Sequence, residues 1–298
     1  MSTLLEMLGC KYPIIQGPVG ALNSSKLVAA ISEAGAFGML ALGFSGPEDV
    51  KKLVGEVRKL TDKPFGANLM IINPSNPEIL KILKDAGVTL VTTSVGAPSK
   101  IYPLIHELGM HGLHVLLSLP HAIRASRDGA DGIVVSGAES GGIRSVASES
   151  STIVLVPLVT DHVNVPVVAA GGVADSRGYR AALALGAQGV QIGTRFIASE
   201  ESPAPKAWKE TIVACSDGGT TLLPMKEMNT EMRVIVDKKM QDLLTNPDID
   251  LSQEYKFADA LQAWSTGNFD LFPAGAGQVA ALVKEIKPVK AIIEEMVS

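Results

Sequence analysis

Two glycine-bearing turns late in the chain have the residue types to hold a phosphate: Ala170-Gly171-Gly172-Val173 and Gln191-Ile192-Gly193-Thr194. Each closes a short apolar run, at residues 165–170 and 189–192. Residues without side chains let backbone N–H groups approach an anion closely. Neither turn continues into Gly-Lys-Ser/Thr, so neither is a Walker-type loop. A third pattern, Gly275-Ala276-Gly277-Gln278-Val279-Ala280, has the spacing of a dinucleotide fingerprint with alanine in the last glycine place. No buried strand precedes it and no βαβ unit with a ribose-binding acid follows. It reads instead as a small-residue helix start packed near the site.

The elements that must position these turns are legible as an alternation. Short apolar or β-branched runs fall at residues 13–16, 36–41, 64–70, 88–93, 113–117, 132–135, 165–170 and 189–192, with helical segments between them. Leu27, Ala30, Ile31 and Ala34 keep one helical face after Ser24 and Ser25, and Gly35 stops that helix. Val50, Leu53, Val54 and Val57 repeat the pattern after Pro47. A helix around residues 178–185 follows the first glycine turn. Eight such units predict an α/β fold, a (β/α)8 barrel, with an open doubly wound sheet as the alternative. In such a barrel the site lies at the carboxyl ends of the strands and phosphate sits after strands seven and eight, where the two turns fall. Residues 1–200 would form the barrel core, and residues 201–298 capping helices with a lid-like insertion in the same compact unit. Residues 217–232 mix Gly218, Gly219, Pro224 and three methionines without periodicity, which predicts a long loop or lid. Asn246-Pro247-Asp248 predicts a further turn.

Composition narrows the function classes. The chain has 298 residues, 46% of them apolar, enough for one large buried core. A net charge of −5 and the lack of a basic block argue against nucleic acid and anionic membrane surfaces, leaving a small-molecule or protein-bound substrate. Cys10 and Cys215 fit neither a disulfide framework nor a metal-ligand spacing and are expected as free thiols. No apolar run approaches a membrane span, and the N-terminus lacks the basic cluster of a signal peptide, so a cytoplasmic location is expected. His111 and His114 would face opposite sides of a strand and make a poor metal pair, and His106 and His162 are expected at the surface. No metal is predicted.

Five segments in order carry a family resemblance: Tyr12-Pro13-Ile14-Ile15-Gln16-Gly17-Pro18, Gly66-Ala67-Asn68-Leu69-Met70, Ser136-Gly137-Ala138-Glu139-Ser140-Gly141-Gly142, Ala170-Gly171-Gly172-Val173-Ala174-Asp175 and Gln191-Ile192-Gly193-Thr194-Arg195-Phe196. Together with Ala276-Gly277-Gln278 they resemble the nitronate monooxygenase family, formerly 2-nitropropane dioxygenases. Flavin-dependent enoyl-acyl-carrier-protein reductases and NADH:quinone reductases belong to the same superfamily. The resemblance implies FMN, with its phosphate at Gly171, Gly172, Gly193 and Thr194. It places the isoalloxazine near Gly17, Pro18, Val19 and Asn68, with Gly141, Gly142 and Gln191 completing the cofactor set. Asn68 is expected at the cofactor, with a strand-end turn as the lesser alternative, and for Gln16 a structural and a cofactor role stay equally open. A homodimer is compatible with the resemblance.

One departure separates the chain from that pattern. Where members of the family carry a histidine associated with catalysis, this chain has Ile143, and Ser136 replaces a glutamate. Isoleucine cannot accept a proton, so a base for carbon deprotonation cannot come from this position. Arg144, Ser145, Ser118 and His121 are the nearby candidates for catalysis or anion attraction. The leading expectation is oxidation of an alkyl nitronate with O2, since a nitronate is already deprotonated. The alternatives are an NAD(P)H-dependent reductase of an enoyl thioester or quinone, and a flavin-binding protein without catalysis.

Overall fold

A computed structural model describes residues 3–145, 149–246 and 249–298. Its barrel is built from β1 (Ile14–Gln16), β2 (Gly38–Ala41), β3 (Phe65–Met70), β4 (Leu90–Ser94), β5 (His111–Leu116), β6 (Gly132–Ser136), β8 (Val167–Ala170) and β9 (Gly189–Ile192), with β7 (Gly142–Ser145) lying outside it. All neighbours in the barrel pair in parallel in the order β1-β9-β8-β6-β5-β4-β3-β2. A bridge between Ile15 and Phe37 joins the two ends, so the eight strands form the predicted (β/α)8 barrel. The eight apolar runs of the sequence are these eight strands, with ends shifted by at most two residues in either direction.

Alternate strand residues go to two different cores, as a period of two requires. Ile15, Phe37, Met39, Leu90, Leu113, Val134 and Val168 fill the inside, together with Leu4, Met7 and Leu8 of the short helix Leu4–Leu8. That helix is held by a capping box in which the Thr3 side chain accepts from the Glu6 N–H and Glu6 accepts from the Thr3 N–H. Ile14, Leu40, Ala67, Leu69, Val91, Ile133, Val135, Val167, Ala169 and Val190 meet the surrounding helices instead. Burial on both faces explains why the strands read as continuous apolar runs. The helix starts follow their sequence signals. Ser24 caps helix Ser25–Glu33 by accepting from the Leu27 N–H, and Pro47 opens helix Pro47–Leu60.

The long loop or lid expected at 217–232 is instead part of a sheet. β10 (Thr220–Met225) and β11 (Thr230–Ile235) form an antiparallel hairpin, turned by Asn229 at φ 49°. β11 also pairs with β7, the strand that follows β6 outside the barrel. The three-stranded sheet β10-β11-β7 is therefore made from segments far apart in the chain, which no local pattern reports. Pro224 is tolerated because β10 is an edge strand. Ser145 ends β7, and the turn expected at Asn246-Pro247-Asp248 lies partly outside the described residues.

A second apolar cluster joins the hairpin and the C-terminal helices to the barrel mouth. Trp208 and Trp264 lie 5.3 Å apart between ring centres with their planes tilted by 34°, and Tyr255 and Phe272 pack edge-on beside them. Leu22, Ala174 and Ile197 contribute to the same cluster from the barrel side. Among the described residues no helix is long and apolar enough to cross a membrane.

Candidate functional site

The two glycine turns stand side by side at the carboxyl ends of β8 and β9. Gly171 and Gly172 have φ of 97° and 74°, which an L side chain rarely adopts. Added Cβ atoms there would come 3.0 Å from the Ser140 Cβ and 3.1 Å from Glu139 Oε1. Asp175 then caps helix Ser176–Ala184 by accepting from the N–H groups of Arg177 and Gly178, and its hydrogen bond from the Arg177 side chain holds its carboxyl below the usual range. After β9, Gly193 leads into the single turn Thr194–Ile197. The Gly17 N–H donates to Ile192 O at 2.7 Å, and a Cβ on Gly17 would sit 3.1 Å from Gly193 Cα. A small cavity opens there, lined by Gln16, Gly17, Val19, Leu22, Gly193 and Phe196 among others.

Polar groups inside the mouth divide into satisfied and unsatisfied ones. Gln16 Oε1 accepts from the Met39 N–H at 3.0 Å, giving that side chain a structural partner. Asn68 donates from Nδ2 to Thr92 Oγ1 at 2.9 Å while 9% exposed. Gln191 lies opposite Ile15 and Ala170, and its Oε1 is buried without a hydrogen-bond partner. A buried acceptor left open is costly in a bare protein, and this oxygen is free to accept from a bound group. At Gly193 the place a Cβ would take has no atom within 4 Å beyond the adjoining residues, which leaves open space beside the Thr194 turn. Pro18 and Val19 are half-buried at the entrance, Val19 starting the turn Gly20–Leu22.

Behind the mouth, loop 137–141 lies against the first turn. The Gly137 N–H donates to Ala170 O, and Ser136 Oγ donates to Ser140 Oγ at 2.8 Å. Glu139 accepts from the Thr152 N–H and so caps helix Thr152–Thr160. The fingerprint-like Gly275–Ala280 pattern is a clip for this loop. The Gly277 N–H donates to Thr194 Oγ1 at 2.9 Å, and the Gln278 N–H donates to Glu139 O at 2.9 Å. A Cβ on Gly277 would stand 3.0 Å from Glu139 O and Gly141 N, and one on Gly275 would meet the Trp264 ring at 3.0 Å. Close packing, not a coenzyme, explains both glycines, against backbone at Gly277 and against the Trp264 ring at Gly275. Gly277→Val is expected to cost about 1–3 kcal/mol, the usual range for overpacking. Urea unfolding that leaves the midpoint unchanged would disprove this account of the clip.

The candidates for chemistry do not gather into one cluster. Ile143 is 46% exposed on β7. Arg144, next to it, is 3% exposed, and its Nη1 donates to Ala138 O, so its guanidinium is tied to backbone rather than held in solvent. Ser145 and His121 are exposed, His121 in the first turn of helix Leu119–Arg127, where Ser118 is the N-cap residue without a side-chain capping bond. His106 reaches Asp131 at 3.1 Å on the outside, and His111 lies 3.8 Å from the same carboxylate. Among the described residues no group of His, Cys, Asp or Glu could hold a metal ion.

The family model for nitronate monooxygenase matches residues 1–298. The chain belongs to the nitronate monooxygenase family. A nitronate monooxygenase of Pseudomonas aeruginosa is 31% identical, over 98% of this chain and 98% of the relative. A (3aS,4S,5R,7aS)-5-hydroxy-7a-methyl-1-oxo-octahydro-1H-indene-4-carboxyl-CoA dehydrogenase of Rhodococcus jostii is 31% identical over 78% of this chain and 66% of its own length. The solved structure of FabK from Thermotoga maritima superposes with a TM-score of 0.89 at 36% identity, covering 100% of this chain and 95% of that one. The protein is thus an oxidoreductase-family barrel.

Within this nitronate monooxygenase frame, two features escape sequence reading. Arg233 on β11 is 6% exposed and donates from Nη2 to Ala138 O at 2.9 Å, the same carbonyl that Arg144 holds. Only the hairpin pairing brings it there. The rim is the second feature: Phe44, Ile72 and Val95, just past β2, β3 and β4, are 73%, 63% and 52% exposed. Val95 has φ 51°, a strained place for a β-branched residue.

Proposed function

We propose that this protein is an FMN-dependent oxidoreductase of the nitronate monooxygenase type that works without a side-chain base, oxidising preformed alkyl nitronates with O2 and releasing nitrite. Family membership and Ile143 at the family's histidine position support this reading. FMN rather than a dinucleotide is supported by the paired turns at the barrel's phosphate place and by the packing role of the Gly275–Ala280 pattern. Gly171, Gly172, Gly193 and Thr194 would hold the phosphate. Gln191 Oε1 would accept a ring or ribityl donor, and Gly17, Pro18, Val19, Asn68, Gly141 and Gly142 would line the ring. Bound FMN would accept the electrons. The chain's own part is to seat it and to leave an apolar Ile143 side chain where no proton need be taken.

A second reading, reduction of an enoyl thioester or quinone by NAD(P)H, is favoured by the apolar rim of Phe44, Ile72 and Val95 and by the 36% identity to FabK. Such a rim suits a larger apolar substrate better than a small anion. The two are separated by the visible spectrum of the purified protein with FMN. Nitrite formed from a nitronate under air supports the first, and anaerobic bleaching by NADH or NADPH supports the second. Protein that takes up no flavin would refute both. Ile143→His is expected to confer turnover of neutral nitroalkanes, by roughly the 100-fold or more that a positioned general base contributes. An Ile143→His protein that binds FMN yet leaves neutral nitroalkanes untouched would remove the assigned role of this position.

A further inference from the structure

Arg144 and Arg233 are the two arginines of the β7–β11 face, and they are arranged unlike ordinary surface cations. They sit diagonally on one face of the ladder, since Arg144 stands opposite Glu231 and Arg233 opposite Gly142. Both are more than nine-tenths buried. Both donate to one acceptor, the Ala138 carbonyl, and each leaves its Nε without a partner. Arg233 also donates to Thr220 Oγ1 at 3.3 Å. Burial first, and then the neighbouring Arg144 charge, pulls Arg233 below its usual range, while Glu139 and Glu231 oppose this. Two like charges under a hairpin are expensive to keep. An apolar pair would pack the sheet at lower cost, so their location must serve something else.

What they grip identifies it. Ala138 lies in loop 137–141, which touches the Gly171–Gly172 turn through Ser140 and Glu139 and runs on into Gly142 and Ile143. We propose that Arg233 and Arg144 form a positioning pair: by holding the Ala138 carbonyl they press this loop onto the phosphate turn, and their paired charge makes the site more favourable to an anionic, reduced cofactor. The proposal rests on the FMN reading. The two guanidinium groups are themselves buried, where charge is screened less than at the surface, so both cofactor affinity and cofactor potential should report it.

Arg233→Met and Arg233→Lys test it in the full-length protein. The methionine variant is expected to bind FMN about 10- to 100-fold more weakly, the range for losing a hydrogen bond from a charged group. Its bound flavin should have a more negative midpoint potential in a dithionite titration, and amide exchange in residues 137–142 should accelerate. Lysine keeps the charge and one donor, so it should restore the potential and part of the affinity. Should Arg233→Met not fold, Arg233→Lys and Arg144→Lys are compared with the parent on the same three measurements. Unchanged affinity, potential and loop exchange in the variants overturn the pair. A parent protein that takes up no FMN fails the cofactor reading instead, while exchange in residues 137–142 still tests the grip on the loop.

Discussion

Gly193→Val is expected to fold as the parent does and to lose about 10- to 100-fold in FMN affinity, the penalty of overpacking transferred from folding to binding. The reason is where the new atoms would go. Gly193 has φ −105° and ψ −71°, a backbone open to L residues, and beyond the adjoining residues no protein atom lies within 4 Å of its Cβ position. The side chain therefore enters open space beside Gly17 and the Thr194 turn, the space assigned to the phosphate. Gly172→Ala provides the contrast. Its φ of 74° and a Cβ 3.1 Å from Glu139 Oε1 would strain the turn and disturb the cap on helix Thr152–Thr160, so it should lose stability as well as affinity. Isothermal titration with FMN, alongside urea unfolding of the apoproteins, distinguishes the two. Equal affinity for FMN in Gly193→Val and the parent would remove the phosphate from this turn.

The positions of both glycines at strand ends, and so the outline of the candidate site, are legible in the sequence. The turns follow strands whose apolar runs repeat eight times, and a barrel with that repeat has one common place for phosphate. Barrel strands bury both faces, so their signal is local and survives without knowledge of neighbours. Gln191, Asn68 and Gly17 are legible for the same reason, lying in or just after those strands.

The hairpin is not legible in this way. Leu222, Leu223 and Met225 share β10 with Pro224, and the partners that make 220–235 a sheet include Gly142–Ser145, far away in the chain. Register between distant strands is a tertiary property, so a stretch rich in Gly, Pro and Met resembles a lid until its partner is known. Arg233 is hidden with it. Arg144 stands out in the sequence for its place after Ile143, yet its burial against Ala138 O depends on the same sheet. The Gly275–Ala280 pattern misleads in the opposite direction. Spacing alone suggests a coenzyme, context excludes it, and the 3.0 Å that would separate a Cβ at Gly277 from Glu139 O and Gly141 N supplies the physical cause.

A titration far from the mouth carries the other large effect. His114, on the outer face of β5, is 7% exposed and shares a hydrogen bond of 2.9 Å with Thr93 Oγ1, which also meets the Tyr102 hydroxyl at 3.0 Å. Burial, aided by His121 and opposed by Asp128, lowers its pKa to about 4. The unfolded chain binds a proton near pH 6.5 and the folded chain resists until about pH 4, so the unfolded state holds more protons between those values. Stability attributable to keeping His114 neutral is therefore fully present above pH 6.5 and is lost as the pH falls toward 4. Between pH 7 and 4.5 the loss should be about 2–3 kcal/mol, the size that linkage assigns to such a shift. His114→Gln keeps a polar partner for Thr93 without the titration. It should start less stable at pH 7 through imperfect packing and then decline less steeply with acid. Parallel urea midpoints for the two proteins across that range would show that His114 titrates normally and that acid sensitivity arises elsewhere.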